Sequence, residues 1–239
     1  MTYSIGVDVG GTKILAGLVD EAGRPVRTLR RETPRNDPHA ALAVVAEVVH
    51  HLVADADDAV VGVGLDVPGP CDADRAVVFF APNLGWANVP VRDMLHEMVG
   101  LPIAVENDGN AAAWGEFRHG AGSDLDEFTM VTVGTGIGGG ILVDGAILRG
   151  AHGAAGEIGH LNVVVNGRPC GCGRNGCWEQ YASGNALVRE ARERAAERRS
   201  DASILLAMLA IFIPSLAAAL VTGGPALGGG AAATGALAV

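Results

Sequence analysis

Positive charge is scarce in this sequence. Its 239 residues carry 17 Lys and Arg against 27 Asp and Glu, a formal net charge of −10 with histidine neutral. A binder of phosphate backbones needs a basic face, so nucleic acid is not an expected partner. Aromatic residues make up only 4%. The opening MTYSIGVDVGG lacks the basic and apolar regions of a secretory signal, so the expected location is the cytoplasm. There, cysteines are thiols or metal ligands rather than disulfides, and the chain has four. Walker A, H-E-x-x-H and G-x-S-x-G motifs are missing, which excludes the commonest nucleotide, metalloprotease and serine-hydrolase signatures.

Apolar residues and glycine are plentiful: 49% of the chain is apolar, and 35 residues are glycine. At this length the chain can form one large domain or two smaller ones sharing a cleft. YSIGVDV (3–9) reads as a strand, GGTK as a tight turn, ILAGLVD as a second strand and VRTLRRET as a third. Asp37 as N-cap, Pro38 in the first turn, and Leu42, Val45, Val49 and Leu52 at helical spacing predict an amphipathic helix over 37–55. AVVGVGLDVPGP reads as a buried strand entering a Gly/Pro loop. VRDMLHEMV gives a short helix, PIAVEN a strand and DGNAAAWGEFRHG a helix. After Gly122 the pattern returns: VTVGTGIGGGILVD repeats the order strand, glycine turn, strand, acidic turn of VDVGGTKILAGLVD. Two α/β lobes are therefore expected, over residues 1–118 and 119–200, each offering a glycine turn to a shared cleft. A charged helix follows at 184–199.

In DVGGTK the paired glycines leave backbone N–H groups unobstructed for anionic oxygens. Thr12 adds a hydroxyl and Lys13 a charge, while Asp8 ends the strand where it could orient a water on Mg²⁺. The alternative is an ordinary hairpin turn, which the second glycine turn at Gly134, Thr135 and Gly136 disfavours. Gly134, Gly136 and Gly139 fit G-x-G-x-x-G formally, but ILVDGAIL reads as a strand where a dinucleotide fold needs a helix. Asn107 and Asp108 sit where a strand becomes a helix. A carboxylate there can take the proton of an attacking hydroxyl, or else merely cap the helix. The loop PNLGW (82–86) says little alone.

His160, Cys170, Cys172 and Cys177 make up a possible closed tetrahedral zinc set, which is structural rather than catalytic; free thiols are the alternative. Glu157 and Glu179 bracket the segment, placed to accept hydrogen bonds from a polyhydroxylated ligand or to remain surface charges. Cys71 reads as a small buried or unpaired thiol.

Taken in order, DVGGTK, PGP, NLGW, VENDGNAAAWGE, GTGIGGGILVDGAILRGAHGAAGEIGH and CGCGRNGCWEQYASG resemble the ROK family (repressor, open reading frame, kinase) over about residues 3–190. The nearest likeness within it is to bacterial ATP-dependent glucokinases. The resemblance implies an α/β, actin-like ATPase (ribonuclease H-like) fold of two lobes around a cleft. It further implies ATP, Mg²⁺ and transfer of the γ-phosphoryl group to the 6-hydroxyl of glucose or a related hexose, with Asp108 as catalytic base. Asn83, Asn107, Asp108, Glu157, His160 and Glu179 would contact the sugar. Gly10, Gly11, Thr12 and Lys13 would face the ATP phosphates together with Gly134, Thr135 and Gly136. His160, Cys170, Cys172 and Cys177 would hold structural zinc, and a homo-oligomer is implied. The repressor branch carries a DNA-binding segment before the first strand; here that strand begins at residue 3, so that branch is not expected.

Past about residue 200 the family pattern is no longer matched, and the second lobe is expected to be incomplete. From Ala202 to Val239 no residue is charged. Residues 204–221 are nearly pure hydrocarbon, formally long enough to span a membrane. A buried helix broken at Pro214 and a C-terminus of abnormal reading frame are the other readings, and a membrane partner is not expected. The alternatives to a glucokinase are a catalytically silent sugar-binding remnant and a kinase for another hexose such as N-acetylmannosamine.

Overall fold

The computed structural model describes residues 2–197 and 236–237. The apolar run at 204–221 lies outside the described residues. Among those described, no helix is long and apolar enough to cross a membrane. The chain divides into two compact units, one of residues 1–111 with Arg149–Ala155, the other of residues 112–148 and from Gly156 onward.

In the first unit, β1 (Tyr3–Val9), β2 (Lys13–Val19) and β3 (Pro25–Glu32) form an antiparallel meander. β4 (Val60–Val67) and β7 (Ile103–Asn107) extend it in parallel, in the order β3-β2-β1-β4-β7. Side chains alternate across a pleated strand. Val7, Leu65 and Val105 therefore point into the core, where α1 (Pro38–Ala54) covers them with Leu42, Val45, Val49 and Leu52. Burying each such leucine or valine contributes roughly 1.5–3 kcal/mol. As expected, Asp37 caps α1, its side chain accepting the Ala40 N–H at 2.9 Å. The same alternation places Asp8, Asp66 and Glu106, register partners across β1, β4 and β7, in one row on the opposite face.

The four-residue strands β5 (Val78–Ala81) and β6 (Trp86–Val89) form a separate ribbon around the turn at Pro82–Gly85. The loop expected at PNLGW (82–86) is the turn of this ribbon together with Trp86, the first residue of β6; four residues per strand are too few for an alternation pattern to register. α2 (Val91–Val99) follows and ends on Gly100, whose φ of 68° is the left-handed conformation that glycine adopts without strain.

The second unit is built on β8 (Phe128–Val133) and β9 (Ile137–Val143), an antiparallel hairpin closed by the turn at 134–136. The stretch ILVDGAIL is not one strand. Asp144 (φ 51°) and Gly145 (φ 72°) fold it back, so β10 (Ala146–Ile147) pairs antiparallel with β9. Two consecutive residues with positive φ are what a two-residue hairpin turn requires. The backbone of β11 (Ala236–Leu237) pairs with the other edge of β8. α3 (Asp108–His119) starts directly from β7, and its later residues Ala113 and Phe117 pack with Phe128 and Leu142. The four-residue helix α4 (Glu179–Ala182) and the 14-residue helix α5 (Gly184–Glu197) follow the cysteine-bearing segment.

Candidate active site

The glycine turn between β1 and β2 is held from behind. The Gly10 carbonyl accepts the Thr33 hydroxyl at 2.7 Å, the Gly11 carbonyl accepts Arg35 Nε at 2.7 Å, and the Thr12 carbonyl accepts the Thr33 N–H at 3.3 Å. In a trans peptide the N–H points opposite to the carbonyl. The amides following Gly10 and Gly11 are thereby aimed away from the Thr33–Arg35 segment. Gly11 also packs against the β5–β6 turn: an added Cβ would lie 3.1 Å from the Asn83 carbonyl oxygen, a contact that the turns could accept only by shifting a few tenths of an ångström. Together these segments line a cavity of about 480 Å³ formed by Gly11, Thr12, Arg35, Asn36, Pro82 and Asn83.

Asp8, Asp66 and Asp108 interact electrostatically in the same unit. Burial, reinforced by the charges of Asp8 and Asp108 and a hydrogen bond with Asp8, pushes Asp66 up to about 8, so it carries a proton at neutral pH. Burial likewise raises Asp8, opposed by Lys13 and by the hydrogen bond with Asp66. Burial raises Asp108 as well, against the pull of the Gly109 N–H, with Asp8 adding to the rise. Asp66 was not singled out from the sequence; the signal available was a lone carboxylate inside the apolar strand pattern of VVGVGLDV.

At the junction of β7 and α3, the residue that takes the helix-start amide is Asn107. Its Oδ1 accepts the Asn110 N–H at 3.1 Å, while its Nδ2 donates to Asp108 Oδ1 at 3.1 Å and to the Gly69 carbonyl at 3.3 Å. Asp108 Oδ1 accepts the adjacent amide of Gly109 at 2.9 Å. Behind them, Glu106 Oε1 accepts the Asn107 N–H and Asn110 Nδ2, both at 3.1 Å, and Oε2 accepts Arg149 Nε at 2.9 Å. Neither Glu106 nor Arg149 emerged from the sequence, since a pair 43 residues apart leaves no local pattern. Cys71 is a buried free thiol, pushed up to about 12 by burial and by the carboxylates of Glu106, Asp72 and Asp108.

In the second unit, the turn at Gly134–Gly136 receives the start of α5: the Gly134 carbonyl accepts the Gly184 N–H at 2.7 Å, and that of Thr135 accepts the Asn185 N–H at 3.3 Å. An added Cβ on Gly136 would lie 2.9 Å from Glu179 Oε2. His160, Cys170, Cys172 and Cys177 each bring one ligand atom to within 4.8 Å of the others. His160 Nδ1 is 3.5 Å from Cys170 Sγ, and the sulfurs of Cys172 and Cys177 are 3.6 Å apart. The turn that gathers them needs left-handed glycines at 173 (φ 86°) and 176 (φ 77°).

Glu179 Oε1 faces Cys170 Sγ at 3.0 Å and His160 Nδ1 at 3.7 Å, and Glu157 Oε2 is 3.9 Å from His160 Nε2. Burial, joined by the Glu179 carboxylate, pushes Cys170 up to about 12. Cys172 falls to about 7 although burial acts the other way, because the Arg174 N–H and the neighbouring thiols favour its thiolate. Three sulfurs and an imidazole closing on one point are the donor chemistry of a divalent zinc ion, so the residues fit the metal.

The chain belongs to the ROK family, whose model matches residues 4–209. It is 45% identical over 208 residues to a glucokinase of Streptomyces coelicolor, covering 87% of this chain and 65% of that one. It is also 35% identical over 190 residues to the xylose repressor of Bacillus subtilis, covering 78% of this chain and 49% of the repressor. The crystal structure of a ROK family glucokinase from Streptomyces griseus in complex with glucose and AMPPNP matches with a TM-score of 0.74 at 47% identity, over 86% of this chain and 65% of that one. The chain thus spans slightly less than two thirds of these glucokinases. Its fold is the mixed α/β, actin-like ATPase fold of the family, and its sequence is glucokinase-like.

Proposed function

We propose that the chain is an ATP-dependent hexose kinase that phosphorylates the 6-hydroxyl of glucose. The carrying observation is Asp108: a solvent-accessible carboxylate with raised proton affinity, oriented by Asn107 at the end of β7, which takes the helix-start amide in its place. Asp108 takes the proton of the 6-hydroxyl as that oxygen attacks the γ-phosphorus, and the bond from phosphorus to the bridging oxygen of ADP breaks. Asn83, Asn107, Glu157, His160 and Glu179 hold the sugar hydroxyls. Gly10–Lys13 and Gly134–Gly136 supply amides to the phosphates. A magnesium ion on the triphosphate supplies charge neutralisation, and Asp8 would hold a water on it. His160, Cys170, Cys172 and Cys177 would hold a zinc ion that rigidifies the wall carrying Glu179. The glucose and AMPPNP in the Streptomyces griseus relative support this reading.

A coupled assay with ATP, Mg²⁺ and a panel of glucose, mannose, N-acetylmannosamine, N-acetylglucosamine and fructose tests it; no turnover on any of them rejects it. Asp108→Asn is expected to leave sugar affinity largely intact and to lower kcat by about 10²- to 10⁴-fold. An unchanged kcat removes Asp108 from the role of base.

The likeness to a xylose repressor favours one second reading, a sugar-binding chain without catalysis. It predicts a rise in Tm with glucose and none with ATP.

A further inference from the structure

The phosphate-facing turn of the first unit lacks balancing charge. Asp8, Asp66 and Asp108 are carboxyl groups of one neighbourhood; burial raises all three, and the charges of neighbouring carboxylates add to the rise of Asp66 and Asp108. The cation opposing Asp8 is Lys13, the only lysine in the sequence. A polyanion entering beside these groups needs a second cation, and the cavity supplies one: Arg35 lines it together with Gly11 and Thr12. Arg35 spends one of its five N–H donors on the Gly11 carbonyl through Nε. Its Nη1 and Nη2 have no partner among the described residues, and the side chain is exposed at the rim. A guanidinium fixed through Nε presents its remaining donors in a planar fork, the geometry that matches two oxygens of a phosphate.

We propose that Arg35 is a phosphate-binding residue of this cavity, where its Nη groups and the amides of the glycine turn together take a phosphate of a triphosphate ligand. This deepens the kinase reading and rests on it for the identity of the natural ligand. The role is twofold: Nε keeps the Gly11 carbonyl turned back, which aims the next amide forward, and the fork meets the same anion. Lysine in its place would keep the charge and lose both the fork and the fixed direction.

Inorganic tripolyphosphate, titrated calorimetrically into the full chain and its Arg35→Gln and Arg35→Lys variants, tests this, with circular dichroism checking the fold of each. The wild-type chain is expected to bind, Arg35→Gln to bind about tenfold or more weakly, and Arg35→Lys to fall between them. Equal affinity in the wild-type chain and both variants, or no binding by the wild-type chain, overturns the proposal. Sugar phosphorylation measured on the same samples separates the two readings. A chain that phosphorylates no sugar yet loses tripolyphosphate on Arg35→Gln rejects the kinase reading and upholds the role of Arg35. An Arg35→Gln variant with unchanged kcat/KM for ATP in an active kinase does the reverse.

Discussion

Asp66 is a carboxyl group whose surroundings favour its protonated form. Its ordinary value of 3.8 is raised to about 8 by burial and by Asp8 and Asp108. Between these values the folded chain holds a proton that the unfolded chain releases. The stability contributed by this group is therefore complete below about pH 4, declines as pH rises, and is gone above about pH 8. Asp66→Asn keeps the shape and a donor toward Asp8 while removing the ionisation. The variant is expected to match the wild-type chain near pH 4 and to exceed it by on the order of a few kcal/mol at pH 9. Urea unfolding at pH 4, 7 and 9 checks this, and a difference independent of pH contradicts the assignment. Residues whose chemistry is local, such as Asp108 beside Asn107 or the three clustered cysteines, were legible in the sequence because their partners lie a few positions away. Asp66, Glu106 and Arg149 were not, because each is defined by a neighbour brought alongside by strand pairing or by the return of the chain at Arg149–Ala155.

At the scale of elements, two helix starts share one device but serve different purposes. Asp37 caps α1 on an exposed surface, accepting the Ala40 N–H. Asn107 caps α3 and also orients Asp108. Removing either cap is expected to cost about 1 kcal/mol. Asp37→Ala should lower only stability, while Asn107→Ala should lower kcat as well; denaturation and steady-state rates measured side by side distinguish them. Equal loss of rate in both variants would mean that Asn107 does no more than cap. The long strands and α1 were readable because alternation and helical spacing persist over seven or more residues. The β5–β6 ribbon, at four residues a strand, was not. Nor was the docking of α5 on the turn at Gly134, which depends on backbone amides meeting carbonyls and leaves no side-chain trace.

For the whole molecule, the repeated hairpin is the organising idea: each unit closes an antiparallel pair of strands with a glycine turn, Val9 facing Ile14 in one and Val133 facing Ile137 in the other. The second unit adds the cysteine knuckle, whose loop is tied to α5 by a bidentate pair from Arg168 to Glu193, at 3.0 and 2.7 Å. The pair is exposed, and a metal ion on the four donors would add to the knuckle's order. One zinc per chain is expected by elemental analysis, and its removal by a chelator should lower Tm, with Cys177→Ser lowering it similarly. A metal-free protein with the same Tm would leave the set as three free thiols and an imidazole.

Lys13, which begins β2 beside the glycine turn, has a consequence of another kind. Because the sequence holds no other lysine, every reagent that acylates or alkylates side-chain amines converges on a single atom of the chain. Apart from the terminal α-amine, reductive methylation, crosslinking through amines and attachment to an amine-reactive surface would all act beside the glycine turn. The same scarcity makes that atom a built-in reporter: the rate at which it is modified reads out, without any introduced label, whether the turn beside it is covered.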